Sequence, residues 1–370
     1  MALGLGVRAL GTLSASYVLG RPFATLMGAP AWARPGLVPA CVAWSAGLAA
    51  SGAVAAMRVG LRVRRAPILH PRSFARLDEL TPICSLVSDT HVVAAGAVPS
   101  ELALEPAQWP FPWLDVSARL RSVLAAIHRD APRTVIWCGD EVDSGDPAEW
   151  AAWRDVVASA PGLAHRLVPG NHDICFNHPF DEDHALARRT VRERAYEDHA
   201  GPLAQFPLVD TIIGDGGPAH VILLDSCRHR STHVLSNAIG RLGDDQLDAL
   251  ARVLAGLRGP VLVVMHHHPW RDARFAPEAW FNTAVDADRL VSILGAYRDP
   301  VLVCHGHRHV ATAGTIGDGI AVVGLPSSTL GDKSVGDTLD GVLRYGVAGL
   351  RRGGGWGVAL VEIASEFANT

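Results

Sequence analysis

Acidic, amide and imidazole side chains follow directly after five short apolar runs of this sequence. The run ICSLVS leads to Asp89 and His91, TVIWC leads to GDEVD, and RLVP leads to GNHD. VLVVM leads to three consecutive histidines, and VLVC leads to HGHRH. Because ligands of α/β folds bind at the carboxyl ends of the strands, we expect these side chains to meet at one edge of a sheet. The candidate residues after the last four runs are Asp140, Asp143, Asn171, His172, Asp173, His266, His267, His268, His305, His307 and His309.

The spacing of these residues predicts a metal site. Asp89 and His91 are two positions apart, as are His307 and His309, so each pair can point the same way on extended backbone. Gly139, Gly170 and Gly306 precede candidate ligands where the chain must turn sharply. Carboxylate, amide and imidazole groups provide about eight donors, too many for one ion and suited to two. The absence of thiolates among them argues against a structural zinc finger.

The body of the chain alternates apolar runs with amphipathic stretches, which predicts an α/β fold. The predicted strands are 83–88, 134–138, 166–168, 220–225, 261–265, 301–304, 320–323 and 357–361. The predicted helices are 116–129, 147–158, 185–199, 244–256 and 285–297.

The charge is divided unevenly along the chain. The formal net charge is −4, from 33 basic and 37 acidic residues. Nine of the arginines and none of the acids lie within residues 1–77, so the rest of the chain is strongly acidic. An acidic body repels polyanions, and broad nucleic-acid binding is therefore not expected.

The N-terminal region contains a stretch of twenty uncharged residues, 38–57. About 20 apolar residues suffice for a membrane-spanning helix, so residues 1–60 are predicted to be an apolar helical segment and a possible anchor. Arg58 and the arginines after it would keep the body at the cytoplasmic face of a membrane. A targeting leader and a soluble helical appendage remain alternatives, the latter leaving the protein cytoplasmic. Residues 61–80 are predicted to be a linker and 81–365 the catalytic domain.

The blocks DTH, GDEVD, GNHD, HHHP and GHRH resemble, in order, those of the calcineurin-like metallophosphoesterase superfamily. The segment 224–250 is similar to that of its cyclic nucleotide phosphodiesterase (class III) and glycerophosphodiesterase-like branch. The resemblance implies a four-layer αββα sandwich of two mixed β-sheets flanked by helices.

The resemblance also implies the ligands. Asp89, His91, Asp140 and His309 would hold one metal, and Asp140, Asn171, His267 and His307 the second, with Asp140 bridging. His266 is the alternative to His267. The resemblance assigns Asp143 to orienting a ligand histidine. It makes His172, with Asp173 beside it, the catalytic pair that stabilises the transition state or protonates the leaving group; a structural histidine is the alternative.

The implied activity is hydrolysis of a small phosphodiester by in-line attack of a hydroxide that bridges two metal ions. The ions would be divalent or trivalent, and iron, manganese, zinc and cobalt all suit these donors. A phosphomonoesterase and a nucleotide-sugar lipid pyrophosphatase at a membrane are the enzymatic alternatives. A non-catalytic scaffold with the same fold is a remote alternative, because scaffolds of this kind lose ligands.

Overall fold

The structure is a computed structural model that describes residues 57–100, 115–174, 185–214, 217–229, 238–271, 282–334 and 338–364. Contacts divide the chain into two units, residues 1–61 and 62–370, and every element named below belongs to the second unit. The predicted anchor at 38–57 lies, except for Met57, outside the described residues. No helix of the described residues is long and apolar enough to cross a membrane.

Two mixed β-sheets form the centre of the second unit. In the described part of the chain, one sheet has seven strands in the order β1-β9-β10-β8-β7-β6-β5, and the other has five in the order β12-β11-β2-β3-β4. The strands are β1 (His70–Pro71), β2 (Leu80–Val87), β3 (Thr134–Trp137), β4 (Ala164–Leu167), β5 (Leu208–Gly214), β6 (Gly217–Leu223), β7 (Val261–Val264), β8 (Val301–His305), β9 (Thr312–Ile316), β10 (Ile320–Gly324), β11 (Arg344–Arg351) and β12 (Trp356–Glu362).

Four of the helices with described bounds follow strands that precede candidate ligands, namely β2, β3, β4 and β7. The helices with described bounds are α1 (Val116–Asp130), α2 (Pro147–Ala158), α3 (Asn171–Ile174), α4 (Ala185–Ala200), α5 (Asp244–Gly256) and α6 (Ala287–Gly295). The start of α2 is fixed by a capping box and by Pro147 at the first helical position. In the capping box Asp146 accepts from the backbone N of Ala148, and Glu149 accepts from the backbone N of Asp146.

Alternation of side chains along the strands builds four layers. In β3, Val135 and Trp137 pack in the core beneath α1 and α2, whereas Ile136 packs between the sheets. In β7, Val263 packs in the core beneath α5 and α6, and Leu262 packs between the sheets. Because each strand buries both faces, its sequence is a continuous apolar run. The predicted αββα sandwich is thus confirmed.

The prediction that residues 61–80 form a linker is corrected by the structure. β1 lies in this segment and pairs with β9 in an antiparallel manner, with His70 opposite Thr315. Ala66 and Ala75 are buried in the hydrophobic cores. These residues are therefore part of the folded body and close one edge of the larger sheet.

Candidate metal centre

The sequence predicted that the ligands lie at one edge of a single sheet. In the structure the predicted ligands come from both sheets. Asp89, Asp140 and Asn171 follow β2, β3 and β4 of the smaller sheet, whereas the histidines at 266–268 and 305–309 follow β7 and β8 of the larger sheet. Backbone bonds join the turns within each sheet: Asp89 N donates to Gly139 O at 3.0 Å, and Gly306 N donates to His266 O at 3.1 Å.

The bonds between the two sets of turns involve the candidate ligands themselves. The backbone N of His307, in the larger sheet, donates to Asp89 Oδ1 of the smaller sheet at 2.9 Å. Within the smaller sheet, the backbone N of His172 donates to Asp140 Oδ1 at 2.8 Å. The backbone thus engages Oδ1 of Asp140 and leaves its Oδ2 towards His266, whereas Asp89 accepts from the backbone at Oδ1 and from Ser88 Oγ at Oδ2.

One group of donors consists of Asp89, His91 and His309, all of which are buried. His91 Nε2 lies 3.0 Å from His309 Nε2, and His309 Nε2 lies 3.4 Å from Asp89 Oδ1. Asp140 Oδ2 lies 4.0 Å from His91 Nε2 and so faces this group from one side. All three predicted ligands of the first metal, with the predicted bridging carboxylate, are brought together.

A second group surrounds the imidazole of His266. Its Nε2 lies 3.1 Å from Asp140 Oδ2, 3.1 Å from Asn171 Oδ1 and 3.2 Å from His307 Nδ1. Its Nδ1 lies 2.9 Å from the carbonyl of Cys138, so that Nδ1 donates and Nε2 presents a lone pair to the cluster when the ring is neutral. The second group therefore contains His266, the alternative, in the place that the sequence assigned to His267.

The side chain of His267 contacts Ser226 rather than the second donor group. Ser226 Oγ accepts from the backbone N of His267 at 3.0 Å and lies 2.9 Å from its Nδ1. A Cβ at Gly240 would lie 2.5 Å from the His267 Cβ, so only glycine allows this close packing. Ser226 and Gly240 thus pack against the turn that carries His266 and His267. This geometry favours the alternative, His266, over His267 as the candidate ligand of the second metal.

Five residues of the described chain other than glycine have a positive φ angle: Asp89, His91, Asp140, His307 and His309. All five are predicted ligands. This left-handed conformation is uncommon for residues with a Cβ and persists where surrounding contacts enforce it.

Two glycines leave the space that the ligands occupy. A Cβ at Gly170 would overlap the Asp140 carboxylate, and a Cβ at Gly306 would overlap Ser88 Oγ and the Asp89 carboxylate. The glycines of the GNHD and GHRH blocks are therefore required for close approach of one turn to another.

The charge states suit cation binding. Burial alone would raise the pKa of Asp140, but His266 and His172 outweigh it and hold the pKa well below the usual value. Burial would likewise raise the pKa of Asp89, and His309 outweighs it and lowers that pKa. Burial, together with His267 and His266, holds the pKa of His307 well below that of a free imidazole. Burial would also lower the pKa of His266, but the Asp140 carboxylate raises it to about 9. Without a cation, His266 carries the positive charge that these carboxylates attract.

The donor separations fit metal ions. Two nitrogen or oxygen ligands about 2.0–2.1 Å from one ion lie about 2.9–3.4 Å apart at octahedral to tetrahedral angles. The separations within the two groups are 3.0, 3.1, 3.1, 3.2 and 3.4 Å. The 3.0 Å contact joins two imidazole nitrogens, His91 Nε2 and His309 Nε2, and is therefore not an ion pair between a histidine and a carboxylate. The residues present therefore fit a pair of ions, with Asp140 Oδ2 between the two groups.

The two residues predicted as catalytic lie in different environments. His172 is 8% exposed, its Nδ1 lies 2.6 Å from the Asp143 carbonyl, and its ring meets that of His91 edge to face. Asp173 is fully buried, and its carboxylate accepts from the backbone N of Asp140, Val142 and Gly170 at 2.9, 3.1 and 2.7 Å. Asp173 thus holds the GDEVD and GNHD turns together, and a catalytic role for it stays a prediction.

Two serines of the site were missed from the sequence. Ser100 donates to Asp143, and Ser226 binds His267. Ser226 lies in the segment 224–250, whose similarity to the phosphodiesterase branch could have identified it. Ser100 is followed by residues 101–114, which lie outside the described residues, and no motif marks it.

The sandwich and its cluster of carboxylate, amide and imidazole donors define an α/β protein with groups of oxygen and nitrogen donors that could hold metal ions. The family model for calcineurin-like phosphoesterases matches residues 86–311, more than half of the chain, and the chain belongs to this family. The predicted superfamily is thereby confirmed. No curated protein matches the chain significantly.

Several solved structures are similar in fold. A dimetal phosphatase from Danio rerio is 15% identical, with a TM-score of 0.48, over 76% of this chain and 99% of that chain. A phosphopantetheinyl hydrolase from Mycobacterium tuberculosis is 16% identical, with a TM-score of 0.40, over 67% of this chain and 91% of that chain. A purple acid phosphatase from yellow lupin is 10% identical, with a TM-score of 0.46, over 76% of this chain and 53% of that chain.

Proposed function

We propose that this protein is a dinuclear-metal phosphoesterase that hydrolyses a small phosphodiester. The observation that carries the proposal is the position of Asp140 Oδ2, which lies 3.1 Å from His266 Nε2 in one donor group and 4.0 Å from His91 Nε2 in the other. A carboxylate oxygen between two converging donor groups is suited to bridge two cations.

The residues divide between the two ions as follows. Asp89, His91, Asp140 and His309 would hold the first, and Asp140, Asn171, His266 and His307 the second. When bound, such a pair of ions lowers the pKa of water, neutralises phosphoryl oxygens and orients the ester for in-line displacement. The chain contributes the fixed directions of the ligands, because backbone bonds hold Asp89, Asp140 and His266.

His172 is suited to proton transfer at the leaving group. The carbonyl of Asp143 can only accept, so His172 Nδ1 donates to it, and Nε2 is the atom that would exchange a proton with the leaving alkoxide. The imidazole is slightly exposed at the edge of the cluster, whereas Asp173 is enclosed by backbone amides. A histidine in this role contributes about 10²–10⁴-fold to the rate.

The preference for a diester rests on the segment 224–250, which resembles the phosphodiesterase branch. In the structure Ser226 of this segment contacts His267, the neighbour of His266. Gln246 accepts from the backbone N of Asp225 and donates to its backbone O, both at 2.9 Å. The family includes monoesterases and diesterases, so the substrate must be tested directly.

The test compares bis(p-nitrophenyl) phosphate with p-nitrophenyl phosphate on the full-length protein after chelation and reloading with Mn²⁺, Co²⁺, Zn²⁺ or Fe²⁺. We expect chelation to abolish turnover, reloading to restore it, and the diester to be the faster substrate. Asp140→Ala should remove activity, whereas Asp248→Ala, at a surface ion pair with Arg289, should not. Faster turnover of the monoester would refute the diesterase assignment, and metal-independent activity would refute the metal centre.

A further inference from the structure

We infer that Ser100 is a positioning residue of the metal centre, acting on His91 through Asp143; the inference rests on the proposed metal-binding function. The backbone N of Ser100 donates to Asp143 Oδ2 at 2.9 Å, and its hydroxyl donates to Asp143 Oδ1 at 3.0 Å. The same Oδ1 lies 3.1 Å from His91 Nδ1. One serine thus fixes both oxygens of the carboxylate that faces a metal ligand.

The chain of contacts determines which nitrogen of His91 can bind a cation. The Asp143 carboxylate accepts and cannot donate, so His91 Nδ1 carries the proton. His91 Nε2 then presents its lone pair, and this is the atom that lies 3.0 Å from His309 Nε2. Outer partners of this kind set the tautomer, the ring orientation and the basicity of a ligand histidine.

Asp143 needs this support because it is buried, with 5% of its surface exposed. A buried carboxylate is stabilised by every hydrogen bond that it accepts, and it rotates or protonates when they are removed. The loss of the Ser100 hydroxyl would leave Oδ1 with one of its two described partners. The carboxylate plane, and with it the ring of His91, would then be less tightly held.

The backbone explains how Ser100 reaches this position. The segment His91–Val92 is bonded to the GDEVD turn, with His91 N donating to Asp140 O at 3.1 Å and Asp143 N donating to Val92 O at 3.1 Å. The chain then leaves the site in the loop 93–99, turns at Gly96 with a φ of 82°, and returns at Ser100. This loop lines a cavity of about 570 Å³ together with the start of α1 and part of α2. Ser100 therefore ties the wall of this cavity to the metal centre.

The experiment measures metal affinity by calorimetry in the full-length protein and, separately, the tautomer of His91 by the ¹⁵N shifts of its ring. In Ser100→Ala we expect one of two metal sites to weaken about tenfold, and the population of His91 protonated at Nδ1 to fall. Ser100→Thr, which keeps the hydroxyl, should bind both ions as the wild type does, and Ser100→Cys should lie between them. Ser122→Ala is the matched control, because Ser122 Oγ donates within α1 to Ala118 O.

The outcomes separate this inference from the proposed function. One result is that the wild-type protein binds two ions while Ser100→Ala and Ser100→Cys bind both with unchanged affinity. This result would overturn the role of Ser100 and leave the metal centre intact. Equal weakening of both sites, or the same loss in Ser122→Ala, would also overturn it, since neither effect passes through His91. Wild-type protein that binds no metal ion would overturn the metal centre and this role together.

Discussion

Proton release on metal binding distinguishes His266 from His267 as the ligand of the second metal. The neighbouring Asp140 carboxylate raises the pKa of His266 to about 9, against the effect of burial, so its imidazole is protonated at neutral pH in the metal-free protein. Burial and the charge of His266 hold the pKa of His267 well below its usual value, so that ring is neutral. A cation binding through His266 Nε2 must therefore displace one proton.

The size of the effect follows from the pKa. With a pKa of about 9, the fraction of neutral His266 falls about tenfold for each pH unit below 8, so the apparent affinity for the second ion should be about 50-fold weaker at pH 7 than at pH 9. The raised pKa also stabilises the metal-free fold. This contribution is complete below the unfolded pKa of about 6.5 and is lost as the pH rises through about 9.

The assay is calorimetric titration of the second ion in buffers of different ionisation enthalpy, which gives the number of protons released. We expect about one proton from the wild type and from His267→Ala near pH 7. His266→Ala should bind a single ion and release none at the second site. Loss of the second ion in His267→Ala with its retention in His266→Ala would refute the assignment.

Three further predictions concern packing and pH. Gly170→Ala places a Cβ against the Asp140 carboxylate and should lower kcat/KM by about 100-fold. Gly256 has open space around it, so Gly256→Ala should leave kcat/KM unchanged. Equal losses in the two variants would contradict the close approach at Gly170. Asp173→Asn should lower the free energy of unfolding by about 1–3 kcal/mol in denaturant titrations because one amide oxygen cannot replace the carboxylate, and Asp248→Asn by less than about 1 kcal/mol. Burial lowers the pKa of His165 to about 4, so the free energy of unfolding should decline as the pH falls from about 6.5 towards 4. His165→Phe should flatten this decline. An unchanged slope of the free energy of unfolding against pH would contradict the prediction.

The elements with strong local signals were predictable from the sequence. The bounds of α2 and α5 agree with the predicted helices 147–158 and 244–256, because acidic residues mark the first turn of both and α2 has a capping box. The strands that precede the ligands were predictable because strands buried on both faces are continuous apolar runs. The order of the five motifs then indicated the family.

β11 was missed because its stability comes from its neighbours. Its sequence RYGVAGLR has arginines at both ends and two glycines inside, so it lacks an apolar run. It nevertheless lies between β2 and β12 in the smaller sheet. A Cβ at Gly349 would overlap the backbone of Thr81, and one at Gly346 would lie 3.1 Å from Leu86 Cβ. The glycines that weaken the local signal are those that permit close strand pairing.

The choice among the three histidines could not be made from spacing. The residue that faces the cluster depends on where β7 ends and how the chain turns after Val264, which a motif aligned on Pro269 does not determine. The role of Asp173 was hidden for a similar reason. Its partners are backbone amides, and a sequence does not show where backbone amides point.

The left-handed backbone at Asp89, His91, Asp140, His307 and His309 has an energetic consequence. Each such residue raises the energy of the fold by about 1 kcal/mol or more, and five of them together approach the net stability of an ordinary domain, about 5–15 kcal/mol. Mutation of any one to glycine would remove this local cost, but it would also discard a candidate ligand and the contacts of its side chain. The backbone energy held at these turns is thus a cost of the candidate metal site that the strands of the sandwich do not share.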